Sequence, residues 1–311
     1  MHRLWILSRP SALCWPRRVP AFLLVLFLLP ARNATGANLV VWPDGSGEFV
    51  TIQAAVTAAS EGDVITLARG TFVGAGNRDI VIPQRNLTII AMSPDEPLDF
   101  VIDCQASAAE HHRAFGMAAD SAAVRLEGIT VTNGYADFGG AVSAGWMARP
   151  VLQRCVFWNN TAEYMGGAIC MIDASPTIRN CTLVGNSAPY GSATYTEDWG
   201  HLTVENSMIV FNLQGQALEG WGQISCCNLF GNEGGDLVGG FASCLGKDGN
   251  ISADPLFCNR GEGDFRLAAD SPCATDSPLN PGCALIGALK VGCGVSPVLR
   301  LTWGGGKALY R

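Results

Sequence analysis

Hydrophobic positions in this chain come in short bursts. Two to five apolar residues, often alternating with polar ones, are followed by Gly, Pro or Asn, as at Val151, Cys155 and Phe157, or at Ile178, Cys181 and Leu183. Bursts of that length predict strands, and the residues between them predict turns. Further strands are expected at Val64–Leu67, Ile80–Ile82, Leu87–Ile90 and Phe100–Asp103. One stretch keeps helical spacing instead: Ile52, Ala55, Val56 and Ala59 fall on one face, with Thr51 as N-cap and Gly62 as stop. Near the start, Arg17-Arg18 precedes the nine-residue apolar run 21–29, and small residues follow at Thr35, Gly36 and Ala37. A basic start, a short apolar core and a small-residue exit predict a secretory signal peptide over residues 1–37. The run is far short of the ~20 residues a spanning helix needs, so no transmembrane segment is expected in the mature chain.

The bursts repeat. Segments 126–133, 153–160, 179–186, 205–212 and 225–232 each place a small residue (Gly128, Cys155, Cys181, Ser207, Cys227) five positions before an Asn. The Asn residues are Asn133, Asn160, Asn186, Asn212 and Asn232, spaced by 27, 26, 26 and 20. A second marker follows the first three: Gly139-Gly-Ala, Gly166-Gly-Ala and Gly191-Ser-Ala. Units of this length with several short strands predict the coils of a parallel β-helix, stacked at ~4.8 Å. Seven to nine coils fit the chain. The five Asn side chains are expected to stack as a hydrogen-bonded ladder, with the small residues pointing inward and the helix covering one open end.

These motifs resemble known families. Phe157-Trp-Asn-Asn160 and Gly166-Gly-Ala-Ile169 resemble the FxxN and GGAI repeats of chlamydial polymorphic outer-membrane proteins, found more widely in bacterial secreted β-helix proteins. The opening, Asp44-Gly-Ser-Gly-Glu-Phe-Val-Thr-Ile-Gln, resembles the start of pectin methylesterases and other pectin-lyase-like proteins. Ala253-Asp-Pro-Leu-Phe, Gly263-Asp-Phe-Arg-Leu and Ile286-Gly-Ala resemble the closing segment of bacterial secreted β-helix proteins. The resemblance implies an all-β, right-handed parallel β-helix of pectin-lyase-like type, bacterial and either secreted or associated with the cell surface or outer membrane. The expected organisation is a signal peptide (1–37), an N-terminal cap with the first coils (38–104), repeat coils (105–250), a Cys-rich closing segment (251–293) and a tail (294–311).

Composition narrows the function. The net charge is −7, and the only lysines are Lys247, Lys290 and Lys307. Removing residues 1–37 leaves 15 basic against 27 acidic side chains, a charge of −12. Such a chain lacks the basic surface that nucleic-acid binding requires. Eleven of the twelve cysteines lie beyond the leader, and seven fall between residues 226 and 293. In an oxidising compartment they predict disulfides, with Cys258–Cys273 and Cys283–Cys293 as candidate pairs whose connectivity sequence alone does not fix.

Two kinds of chemistry can be sought in the residues. A Ca²⁺-dependent polysaccharide lyase needs carboxylates for the ion and a base beside the uronate. Asp173 and Asp198 are the candidate Ca²⁺ ligands, and Glu197 and His201 complete the candidate catalytic set; all four also read as solvated turn residues. A glycoside hydrolase would draw on Asp173, Glu197 and Asp198. His111-His112-Arg113 reads as a polar loop or as a base. The binding signal is aromatic. Phe138, Tyr164 and Tyr190 each fall three or four residues before the Ala of the glycine marker, which predicts a lengthwise stripe, while Trp146, Trp199 and Trp221 occupy other turns. Flat apolar rings suit sugar faces. The expectation is a monomer that binds polysaccharide or a cell-surface glycan without catalysis, or acts in adhesion, with Ca²⁺ the one cofactor in view. A Ca²⁺-dependent lyase or related hydrolase is the alternative, and a passive spacer is a third reading.

Overall fold

In the computed structural model the chain winds into a parallel β-solenoid of about ten turns. It describes residues 36–117, 123–197 and 200–296. The proposed leader up to residue 35, the tail beyond 296, and Asp198 and Trp199 lie outside the described residues.

Four parallel sheets run along the solenoid. Sheet A has eight strands, from Asn38–Val41 to Gly222–Ser225, and sheet B seven, from Gly70–Phe72 to Asn228–Phe230. Sheet C has six, from Ile80–Ile82 to Leu218–Glu219, and sheet D four, from Tyr135–Phe138 to Leu213–Gln214. One coil reads Val151–Gln153 in A, Val156–Trp158 in B, Thr161–Met165 in D and Ile169–Met171 in C. The next coil pairs with it in register, Val151 with Thr177 and Val156 with Thr182. The turn count exceeds the seven to nine expected because the end coils lack the repeat markers; eight turns contribute a strand to sheet A.

Each corner of that coil turns on one residue in the left-handed region: Arg154, Asn159, Gly166 and Asp173 have φ of 52°, 55°, 66° and 53°. Asn and Asp tolerate this conformation and Gly prefers it. Gly166 has a further reason. A Cβ there would come within 2.2 Å of the Ile169 carbonyl oxygen, and one on Gly167 within 2.1 Å of the Ser192 carbonyl of the next coil. The Gly-Gly marker is therefore a tight corner pressed against its neighbour.

Inside, like residues stack on like: Val131, Phe157, Leu183, Ile209 and Leu229 form a buried column from sheet B. The helix Ile52–Ala58 has its expected N-cap, the Thr51 hydroxyl accepting from the Ala54 amide at 3.2 Å, and buries Ile52, Ala55 and Val56. It ends at Ala59, three residues before the expected stop; Gly62 instead takes φ 81° in the turn beyond. The other end of the interior is filled by Phe241, 1% exposed, from the short 3-10 helix Gly239–Cys244.

Residues 251–293 run alongside the solenoid, against the outward face of sheet B. Phe265, Leu267, Cys273 and Ile286 pack there on Val156, Val184, Met208 and Val210 as a second hydrophobic core. The disulfides are Cys226–Cys283 and Cys258–Cys293, which replaces the expected pairs. Cys273 is instead a buried free thiol near the Asn228 side chain, 3.1 Å away, and burial pushes it up to about 12.

Candidate functional site

Hydrogen bonds along the Asn column set the axial register. Asn160 donates to Asn186 Oδ1 at 3.1 Å, Asn186 to Asn212 at 3.0 Å and Asn212 to Asn232 at 2.8 Å. Asn232 donates to Asp236, which ends the run. Asn133 is not part of it. Its place is one residue earlier, at the half-buried outer corner, where it accepts from Asn159 at 2.8 Å and donates to Asp103 at 3.0 Å. Gly134 takes the inner position, its amide donating to Asn160 Oδ1 at 3.0 Å. The same one-residue slip moves Gly128 to a corner at φ 69°, so that Ile129 precedes Cys155 in the inward column.

The aromatic residues lie where sheet D turns into sheet C. In sheet D, Ala136, Ala162 and Ala188 point inward and are buried, so their neighbours face out. Between Tyr135–Phe138 and Thr161–Met165 the register shifts: Ala136 pairs with Ala162, but Phe138 pairs with Met165. The extra residue is a bulge, which leaves Glu163 and Tyr164 both exposed and re-aims the Tyr164 ring. That ring sits 5.5 Å from Phe138 at a 35° tilt. Tyr190 follows one coil on, its amide donating to the Tyr164 carbonyl at 3.2 Å. Tyr164 and Tyr190 are 52% and 56% exposed. Phe138 and Tyr190 both lie in register with Met165, and Tyr164 precedes it by one, so the three form a ridge of successive coils at one corner, with ring contact between Phe138 and Tyr164.

A polar cluster flanks the ridge. The loop before residue 114 crosses the edge of sheet D, with mutual backbone bonds between His112 and Tyr135. This brings His111 to 4.9 Å from the Tyr135 ring. Its Nδ1 lies 3.0 Å from Asp137 and its Nε2 3.6 Å from Glu163, so one imidazole spans carboxylates of two coils. His112 pairs with Asp79 at 2.6 Å. Desolvation raises the Tyr135 hydroxyl, helped by the charge of Glu163 and its hydrogen bond. Behind the cluster, burial lowers Arg113 and pushes Cys170 up to about 12, the two opposing charges partly offsetting this. Rings with exposed carboxylates and an imidazole beside them can stack on a sugar face and hydrogen-bond its hydroxyls.

The other predicted residues lie at the opposite end of sheet C. Trp146 is 58% exposed in one turn from C to A, and Glu197 and His201 are exposed in a later turn from C to A. Asp173 is the corner residue of its coil, its carbonyl accepting from Met147 at 2.8 Å. Its Oδ1 is buried with no hydrogen-bond partner among the described residues. Among the described residues no three His, Cys, Asp or Glu side chains gather as a metal site; Asp198, the second candidate Ca²⁺ ligand, lies outside them. None of the described helices is long and apolar enough to cross a membrane.

The structure places His111, which the sequence singled out as part of a polar loop or as a base, between Asp137 and Glu163 beside the ridge. Sequence offered no signal for that placement, because the loop carrying His111 has no counterpart in other coils. No protein-family model matches the chain, and a comparison with curated proteins found no match.

Proposed function

We propose that this protein is a secreted or cell-surface β-solenoid of the right-handed, pectin-lyase-like type that holds polysaccharide lengthwise without cleaving it. The observation that carries this is the ridge of Phe138, Tyr164 and Tyr190, three rings in successive coils with two of them more than half exposed. A polymer with a repeating flat face meets a surface that also repeats along its axis. Single exposed rings are ordinary, whereas rings on successive coils of one corner support an interaction surface. Two disulfides support an oxidising compartment. The carboxylates of Asp137 and Glu163 beside the rings favour a neutral glycan over a uronate polymer, since like charges repel.

One observation favours the enzymatic alternative, a Ca²⁺-dependent lyase or related hydrolase centred on Asp173: its buried Oδ1 has no hydrogen-bond partner among the described residues. Co-sedimentation of the purified chain with cellulose, xylan, chitin and pectate, in Ca²⁺ and in EGTA, separates the two. Retention on a neutral polymer in EGTA with unchanged polymer length supports binding. New chain ends, lost with Asp173→Ala, would replace it with the enzyme.

A further inference from the structure

The outward face of sheet B and the segment that runs alongside it enclose a second concave surface. This cleft has a volume of about 600 Å³, within the ~300–1,000 Å³ of ligand pockets. Trp158, half-buried, stands in one wall, with Phe265 edge-on against it at 5.3 Å. Gly263 lies close to the same indole, since a Cβ there would fall 3.0 Å from two ring carbons. Leu98 and Leu289 add apolar surface.

The lining is acidic. Asp95, Glu96, Asp99, Glu262 and Asp264 stand against Arg266 and Lys290, five carboxylates to two cationic side chains. Arginines nearby do not even the balance. Arg266 is taken by Asp264 at 2.6 Å. Arg69 is shared by Glu96 and Asp99 at 3.0 and 2.9 Å, and Arg154 by Asp95 and the buried Glu127. Glu262 accepts from the Asn259 side chain at 2.8 Å and pairs with no cation among the described residues. An indole wall among unbalanced carboxylates suits a ligand that is cationic and carries a flat apolar group.

The chain itself supplies such a group. Residues 297–311 carry Arg300, Lys307 and Arg311, with Trp303 and Tyr310 among them, and no Asp or Glu. Position allows a return to the cleft. The strand Val291–Cys293 pairs in parallel with Asp264–Ala268, and Val291 and Gly292 belong to the cleft wall. From there the chain runs to Ser296, whose amide donates to Asp270 Oδ1 at 2.8 Å. Ser296 is four residues beyond Gly292, no more than ~14 Å of extended chain. Residues 297–302 are long enough to cover that distance back, and Gly304-Gly-Gly306 lets Trp303 and Lys307 settle separately. We propose that residues 303–311 occupy the cleft of their own chain, with Trp303 against Trp158 and Lys307 among the carboxylates. A segment held this way closes the cleft to other ligands, and its hold weakens as salt screens the charges.

Zero-length carbodiimide cross-linking of the full chain tests this, with unlabelled and ¹⁵N-labelled protein mixed so that links within and between chains are told apart. Peptide mapping should recover Lys307 amide-linked to Asp95, Glu96, Asp99 or Glu262 of the same chain. The yield should fall at least about threefold in about 0.5 M NaCl, and by as much in Glu96→Gln/Glu262→Gln, where both side chains are exposed and the fold does not depend on them. Trp303→Ala should lower it too, whereas Trp146→Ala, at an exposed turn elsewhere, should not. No Lys307 link, a link to carboxylates outside the cleft, a link between chains, or a yield indifferent to salt and to the substitutions would each overturn the proposal. Polymer retention by the ridge can fail or succeed independently of all these outcomes.

Discussion

The side-chain amide of Asn186 donates to Oδ1 of Asn212 at 3.0 Å, and the same oxygen accepts the backbone amide of Asn186 at 2.9 Å. Its second hydrogen goes to the Phe157 carbonyl at 2.9 Å. One fully buried side chain therefore ties three successive coils. Asn186→Ala should cost about 3 kcal/mol in urea unfolding, because it removes the acceptor of the Asn160 backbone amide, one of the acceptors of the Asn160 side chain, and the side-chain donor to the Phe157 carbonyl. Asn133→Gly, at a half-buried outer corner with φ 55°, should cost under about 1 kcal/mol. Equal costs would mean that the column does not hold the coils together.

The disulfides secure the segment that covers sheet B. Cys226–Cys283 spans 57 positions and Cys258–Cys293 spans 35. A loop of the first size confers about 4 kcal/mol in the chain-entropy model. Cys283→Ser should lower stability by about 2–5 kcal/mol and increase dye binding, as Val184, Met208 and Val210 lose their cover. Peptide mapping under non-reducing conditions should recover these two linkages; a Cys258–Cys273 peptide would contradict the packing of the segment.

Acid should loosen the same segment. The hydrogen bond from Arg266 holds the Asp264 carboxyl below its ordinary 3.8. A carboxylate with a lowered folded value adds stability that is complete above the unfolded value and lost as pH falls through the folded one. Melting curves should therefore show wild type above Asp264→Asn at neutral pH, with the gap closing as pH drops below 3.8. A gap that is constant with pH would deny the pair any part in stability.

Much of this architecture is legible in the residues. Thr51 and its apolar face announce the helix, and the first glycine of each marker announces the coil, because Gly139, Gly166 and Gly191 combine a left-handed φ with a carbonyl oxygen 2.2 Å from where a Cβ would lie. The slip at Asn133 arises because Asn suits both an outer left-handed corner and the inner ladder, so identity alone cannot assign the column. The lateral segment had a signal. Thr182-Leu183-Val184 and Met208-Ile209-Val210 are apolar or small on both faces, as strands covered on both sides are, and all six are buried. Cysteine spacing does not determine connectivity, and the place of His111 depends on a loop without repeat. The bulge that turns Tyr164 outward is likewise set by pairing between coils.

Affinity electrophoresis through gels containing hydroxyethylcellulose, xylan or soluble β-glucan tests the ridge most directly. Wild type should be retarded by at least one of these polymers in EGTA. The Tyr164→Ala/Tyr190→Ala double variant should lose at least about tenfold in affinity, roughly 1.4 kcal/mol, while Trp146→Ala at the other end of sheet C keeps it. Retardation that survives the double substitution, or no retardation by any of the three polymers, would contradict a glycan-binding ridge.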